Sequence, residues 1–277
     1  MSARLTIDKT LKLYVGGKFI RSESGRTMPI EDEDHRAVNV ARGSRKDLRE
    51  AIRIARAATG PWAGRTAYNR GQILYRLAEM LEGRLPSLSP GAEAAIDRVV
   101  HHAGWSDKIA AVLSALNPVS TTYVNYARMR PLGVVCAAPD PADGLLGLVE
   151  AAAANAVMGN ATVLLIDARS ATAAAELAEA LATSDFPGGV INVLTGELAE
   201  LLHHAADHDD VDGLYLAHGA TASLQGELEA AGARVLRRML VVPGAARPAT
   251  PIQLQKLAEV QTVWVSAYEP QGGAPGY

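Results

Sequence analysis

Between residues 131 and 219 the chain alternates short, almost wholly apolar runs with alanine-rich stretches. The runs occupy 133–138, 161–166, 190–194 and 213–217. Each is about the length of a strand buried on both faces, and the segments between repeat their apolar residues at helical spacing. Strands that alternate with helices pair in parallel through right-handed crossovers. The pattern therefore predicts an α/β fold built on an open, doubly wound, mostly parallel sheet.

Upstream the pattern changes. Lys12-Leu13-Tyr14-Val15 and Lys18-Phe19-Ile20-Arg21 flank Gly16-Gly17, a connection suited to a tight hairpin. Ser44 followed by Asp47 forms a capping-box pattern, and Leu48, Ala51, Ile52 and Ala55 make one apolar helical face behind it. That helix is expected to stop near Gly60-Pro61. A second covers about 67–83, with Ile73, Leu74, Leu77 and Leu81 on a shared face, and Trp62 is expected where the two helices meet. A third carries Ile96, Val99, Val100 and Ala103, with His101 and His102 expected on the surface beside them. Residues 117–130 read as extended, 244–250 as a Pro/Ala/Gly linker, 252–259 as a short helix and 260–266 as a strand.

Composition narrows the function classes. With 277 residues, 48% of them hydrophobic, the chain can bury one substantial core. A balance of 27 basic and 30 acidic residues leaves no electrostatic footprint for nucleic acid. A single cysteine excludes an internal disulfide framework and fits a reducing compartment. The most apolar long stretch, 144–166, contains Glu150, Asn155 and a Gly159-Asn160 break, so it reads as a helix plus a strand, not a membrane span. No apolar signal core follows Met1, and the cytoplasm is the expected location.

Several phrases resemble one enzyme family. Met158-Gly159-Asn160-Ala161-Thr162-Val163, Phe186-Pro187-Gly188-Gly189-Val190-Ile191-Asn192-Val193-Leu194-Thr195-Gly196 and His208-Asp209-Asp210-Val211-Asp212 resemble the cofactor-binding domain of aldehyde dehydrogenases. The 13–22 hairpin, Ala103-Gly104-Trp105-Ser106-Asp107-Lys108-Ile109 and the strand at 260–265 are similar to further parts of that family. The resemblance implies three parts. Residues 1–130 hold the hairpin, the N-terminal helices and a β arm; 131–243 form a Rossmann-like, cofactor-type domain; 244–277 are a linker plus a C-terminal oligomerisation strand. The arm is expected to combine 11–30, 117–130 and 260–266, and by analogy to join a neighbouring subunit's sheet. Active members are nearly twice as long, so the chain reads as a truncated homologue whose catalytic middle is replaced by roughly 238–252.

Activity in that family implies a cysteine thiolate that attacks the aldehyde, a glutamate that activates water, and an asparagine that steadies the oxyanion, with NAD or NADP taking the hydride. Cys136 aligns with the first cofactor-domain strand, not with the nucleophile, and a cysteine in an apolar strand reads as an inert small hydrophobe. The asparagine's phrase reads Pro139-Asp140-Pro141-Ala142-Asp143 here, and no asparagine occurs from 137 to 154. The glutamate's Glu-Leu-Gly-Gly phrase is missing from Leu236-Arg237-Arg238-Met239-Leu240-Val241-Val242-Pro243. No residue is assigned to catalysis.

Cofactor binding rests on less. The family's lysine after the second strand corresponds to Leu165; Asp167 beyond it is either a ribose contact or a polar strand end. The Phe-Thr-Gly-Ser phrase becomes Leu216-Ala217-His218-Gly219, where Gly219 either approaches phosphate or makes a turn. Asp140 and Asp143 suit the following helix's dipole but oppose a pyrophosphate. Pro139, Asp167 and Gly219 are the candidate cofactor contacts, with weak NAD(P) binding or none expected. His203, His204 and His208 lie beside Asp207, Asp209 and Asp210, and His204 and His208 have the spacing of a helical metal pair. The same residues also read as a helix ending in a polar loop, and no metal is assigned. The leading expectation is a catalytically inactive structural or regulatory subunit that oligomerises with itself or with a full-length aldehyde dehydrogenase. The alternatives are a nucleotide-sensing binding module and an active NAD(P)-dependent aldehyde oxidoreductase.

Overall fold

The computed structural model describes residues 10–31, 37–119 and 122–267. Seven strands make the central sheet: β1 (Leu13–Val15), β2 (Lys18–Ile20), β3 (Val134–Ala138), β4 (Ala161–Ile166), β5 (Ile191–Thr195), β6 (Gly213–Ala217) and β7 (Arg238–Val242). Their spatial order is β7-β6-β3-β4-β5-β1-β2. The five strands from β7 to β5 are parallel, while the β1–β2 hairpin joins β5 antiparallel. From β3 the chain first builds outward through β4 and β5, then returns to build β6 and β7 on the other side. The predicted doubly wound sheet is present, and its order reverses between β3 and β6.

Seven main helices cover the sheet: α1 (Arg45–Ala63), α2 (Ala67–Glu82), α3 (Ala92–Trp105), α4 (Gly144–Val157), α5 (Ala171–Thr183), α6 (Leu198–Asp207) and α7 (Gln225–Arg234). Successive strand residues point to opposite faces, so each strand feeds two cores. Val135, Ala137, Leu164, Ile166 and Val193 meet α2, α3, α4 and α5. Val134, Cys136, Ala138, Val163, Leu165 and Leu194 meet α1, α6 and α7. Coverage on both faces explains why these strands are continuously apolar. Among the described residues, no helix is long and apolar enough to cross a membrane.

Two expectations need correction. Helix α1 does not stop at Gly60-Pro61; it runs to Ala63 with Pro61 inside its last turn. Proline's fixed φ suits a helix, and a missing N–H costs little near the end, where Trp62 is buried and donates its ring N–H to the Ala156 carbonyl at 3.0 Å. The segment 11–30 does not join the arm. Its hairpin completes the central sheet, and Thr27–Glu31 pairs antiparallel with Ala37–Ala41 in a separate small sheet. The arm itself consists of Ala115–Asn117, Tyr123–Pro131 and Ala258–Ser266, with Tyr123–Pro131 in the middle.

Candidate functional site

In an open α/β sheet, ligands bind in the crevice outside the carboxyl ends of the strands, where the strand order reverses. Here that crevice lies between the ends of β3 and β6, and its walls are 139–143 and 218–221. The three candidate contacts gather around it. Pro139 is buried and packs on the first turn of α4, where a Cβ on Gly147 would stand 3.6 Å from the proline Cβ. Gly219 faces Asp140 so closely that a Cβ there would lie 1.6 Å from Asp140 Oδ2. Asp167 sits at the end of β4, and the Ser170 hydroxyl reaches the Pro141 carbonyl at 3.5 Å to close that side.

Three carboxylates, Asp140, Asp143 and Asp167, stand at the crevice, with Arg169 and Arg247 as the cations beside them. Asp140 caps the turn 141–143 by accepting from Ala142 N–H at 3.0 Å, and its other oxygen fills the space above Gly219. Asp143 accepts from Ala245 N–H at 2.7 Å and so fastens the segment after β7 over the same opening. The Asp167 carboxylate accepts from both the backbone N–H and Nε of Arg169, each at 2.9 Å. Burial alone would raise the Asp167 carboxyl, but these Arg169 contacts outweigh it and hold the group below its ordinary value. Leu165, in place of the family's cation, is fully buried in the core. A phosphate approaching Gly219 meets a carboxylate, and Asp167 spends its Oδ1 on Arg169, which leaves only Oδ2 for a ribose. Asp140 over Gly219 and the apolar Leu165 make this crevice a poor fit for a dinucleotide.

Cys136 is fully buried against α1 and α6, and burial pushes its thiol up to about 12, against a small opposing effect from Arg237. The thiolate needed for attack is therefore scarce and out of reach of the crevice. His204 and His208 line one surface depression with Asp207, Asp209 and Asp210, apart from His203. His203 pairs with Glu227 at 3.3 Å, and His208 accepts from Asp210 N–H through Nδ1 at 3.1 Å. Arg237 ties down the end of α6 by donating to the carbonyls of Ala206, His208 and Val211. Among the described residues, no three His, Cys, Asp or Glu side chains are grouped as a metal would require.

Sequence reasoning missed a buried ion network. His102, expected on the surface, is 0% exposed. Its Nε2 lies 3.0 Å from Glu150 Oε2, to which Arg98 donates at 2.6 Å. The other Glu150 oxygen accepts from Ala249 N–H at 2.9 Å. Burial would raise the Glu150 carboxyl, yet the bonds from His102 and Arg98 prevail and keep it below its ordinary value. The signal was present: Arg98 and His102 lie four apart on the α3 face that also carries Ala95, Val99 and Ala103. Glu150 likewise interrupts the alanine-rich α4, which is buried without a break from Gly147 to Val157.

The phrases that prompted the resemblance are structural joints. Asn192 accepts from Gly16 N–H at 2.9 Å and donates to the Gly189 carbonyl at 2.8 Å, which clamps the hairpin to the sheet. Gly188 lets that hairpin approach, since a Cβ there would stand 2.5 Å from the Gly16 carbonyl oxygen. Asn160 accepts from Gly133 N–H at 3.1 Å and donates to the Leu257 carbonyl at 2.8 Å, so it seats the entry into the last arm strand. Thr195 donates to the Ala41 carbonyl at 2.7 Å.

Comparison with known proteins agrees with this architecture. A sequence profile of the aldehyde dehydrogenase family matches residues 19–246. Cytosolic aldehyde dehydrogenase 1 of Elephantulus edwardii is 27% identical over 259 residues, covering 86% of this chain and 51% of that protein. The mitochondrial aldehyde dehydrogenase of Rattus norvegicus is 26% identical over 260 residues, covering 86% of this chain and 49% of the relative. The chain spans about half the length of the curated relatives it matches. A Bacillus cereus aldehyde dehydrogenase solved as an NAD+ complex superposes with a TM-score of 0.77 at 22% identity, covering 84% of this chain and 50% of that one.

Proposed function

The chain belongs to the aldehyde dehydrogenase family, and we propose that within it the protein is a catalytically inactive structural or regulatory subunit, assembling with a second copy or with a full-length aldehyde dehydrogenase. One contrast carries this reading. Residues of the family-like phrases that join elements are engaged, as with Asn192, Asn160 and Gly188, whereas the chain's one thiol and the crevice where a cofactor would sit are closed. Cys136 is sealed in a core, Asp140 fills the crevice, and Asp167 is held by Arg169.

The arm supports assembly. Ala258–Ser266 pairs with Tyr123–Pro131 along one edge, and among the described residues no strand meets its other edge. Open edges of this length invite pairing, and proteins seldom leave them bare. Leu116, Tyr123, Val124, Val260, Trp264 and Val265 are all exposed on this small sheet, an apolar concentration of the kind found at subunit contacts.

The test is turnover and binding on the purified chain. No aldehyde-dependent reduction of NAD or NADP is expected across short, aromatic and semialdehyde substrates. Loss of a single oxyanion donor already costs about a hundredfold or more, and here nucleophile, base and donor are all unassigned. Titration calorimetry is expected to show weak or absent binding of NAD and NADP. Turnover abolished by Cys136→Ala would refute inactivity. Low-micromolar dinucleotide binding without turnover would favour a nucleotide-sensing module instead.

A further inference from the structure

A second opening lies on the far side of the molecule, near the amino ends of the parallel strands. It is a depression of about 640 Å³ bounded by the last turns of α1, the helix Ile109–Leu113, the arm strand at 128–131 and the end of α4. Four arginines line it: Arg56, Arg70, Arg128 and Arg130. Only Arg56 has its charge balanced, through Asp212 at 2.7 Å and Asp210 at 3.8 Å.

The other three are bonded only to neutral groups. Arg70 is half-buried and donates to the carbonyls of Arg65 at 2.7 Å and Val157 at 3.4 Å. Burial disfavours its charged form and lowers its pKa. Arg128 and Arg130, exposed and two apart on one strand, share a single amide oxygen, Gln261 Oε1, at 2.8 and 3.5 Å. Among the described residues, no carboxylate lies within ion-pair distance of these three guanidinium groups. Gly60 also lines the depression, and an added Cβ there would meet nothing within 4 Å.

Three guanidiniums without an ion-pair partner among the described residues line one concavity, one of them partly desolvated, and Glu259, the carboxylate across the strand pairing from Arg130, is engaged by Arg238 at 2.8 Å. Arginine's planar fork matches a tetrahedral oxyanion through paired N–H donors. We infer that this cleft is a binding site for a phosphate-bearing small molecule, held by Arg70, Arg128 and Arg130. The inference is independent of whether the chain turns over aldehydes, because the cleft and the crevice lie at opposite ends of the strands.

The test is thermal unfolding of the full chain titrated with inorganic phosphate, and separately with pyrophosphate, at constant ionic strength set with sodium chloride. A saturable rise in Tm is expected. The apparent affinity is expected to fall about tenfold or more in Arg128→Gln/Arg130→Gln, since charge-assisted hydrogen bonds to an anion are lost. The pair Arg53→Gln/Arg76→Gln removes the same net charge from elsewhere on the surface and is expected to leave the affinity unchanged. Calorimetry on wild type and Arg70→Lys provides a readout that does not depend on Tm, with weaker phosphate binding expected in the variant. Three results would overturn the site: no saturable response in the wild type, an equal loss in both arginine pairs, or a response to citrate with none to either phosphate.

Discussion

Replacing Glu150 with alanine strikes a buried charge held by three partners. Glu150 is 2% exposed, accepts from Arg98 at 2.6 Å and from Ala249 N–H at 2.9 Å, and lies 3.0 Å from His102 Nε2. The substitution leaves a buried guanidinium without a counter-ion and a backbone donor without an acceptor. Breaking one partner of a buried ion pair costs about 3–5 kcal/mol. At roughly 2–4 °C per kcal/mol for a chain of this size, Tm falls by about 6–20 °C. Urea unfolding followed by circular dichroism checks the figure, provided the slope m is unchanged. The pH dependence has a defined sign. The folded Glu150 carboxyl lies below its ordinary value, so its stabilisation is fully present above the unfolded value of about 4.3. It is lost as pH falls through the lower, folded value. Glu150→Leu combined with Arg98→Met should therefore flatten stability at acid pH, while costing far less at pH 7 than the single alanine change. A loss below about 1 kcal/mol for Glu150→Ala would refute the view that this network holds α3, α4 and the 244–250 segment together.

Asn192→Ala removes the clamp on the β1–β2 hairpin and should cost on the order of 3 kcal/mol, from one unmet donor and one or two unmet acceptors at about 1–3 kcal/mol each. Limited proteolysis should then cut within 16–20 before any other cleavage. Leu236 holds a left-handed φ of 53° while 93% exposed, so Leu236→Asn should raise stability by about 0.5–1 kcal/mol in denaturant titration. Cys136, with its thiol raised to about 12, should resist an aromatic disulfide reagent in native buffer at pH 8 and react fully once the chain is unfolded in guanidinium. Rapid native labelling would mean that the core around β3 opens far more often than its packing implies.

What the sequence made legible were features written in local spacing. The hairpin at Gly16-Gly17, the Ser44–Asp47 capping box and the four double-faced strands each declare themselves within a dozen residues, and each is present. What escaped depended on distant partners. Alternation in 11–30 identifies strands but does not say which sheet receives them; that choice is made by Asn192 and by the glycine contact at 188, far along the chain. Pro61 reads as a stop, yet tertiary burial of the neighbouring Trp62 carries α1 past it. His102 looks like a surface residue until Glu150 arrives from another helix to accept its bond. The candidate site was partly legible as well. Asp140 and Asp143 announced an acidic crevice, but only the fold shows that one fills the space over Gly219 and the other ties down Ala245.

The claim that this chain is an assembling subunit meets its most direct test in the mass of the purified protein. Light scattering coupled to size exclusion should give a multiple of the 29.1 kDa chain mass. It should fall back to 29.1 kDa when Val260→Lys and Trp264→Lys place two charges on one face of the exposed arm strand. Full-length aldehyde dehydrogenase should co-elute with the wild-type chain only if that enzyme is the partner. A wild-type chain that runs as a 29.1 kDa monomer both alone and in a mixture with such an enzyme, or a multimer whose mass ignores both lysines, would contradict the account.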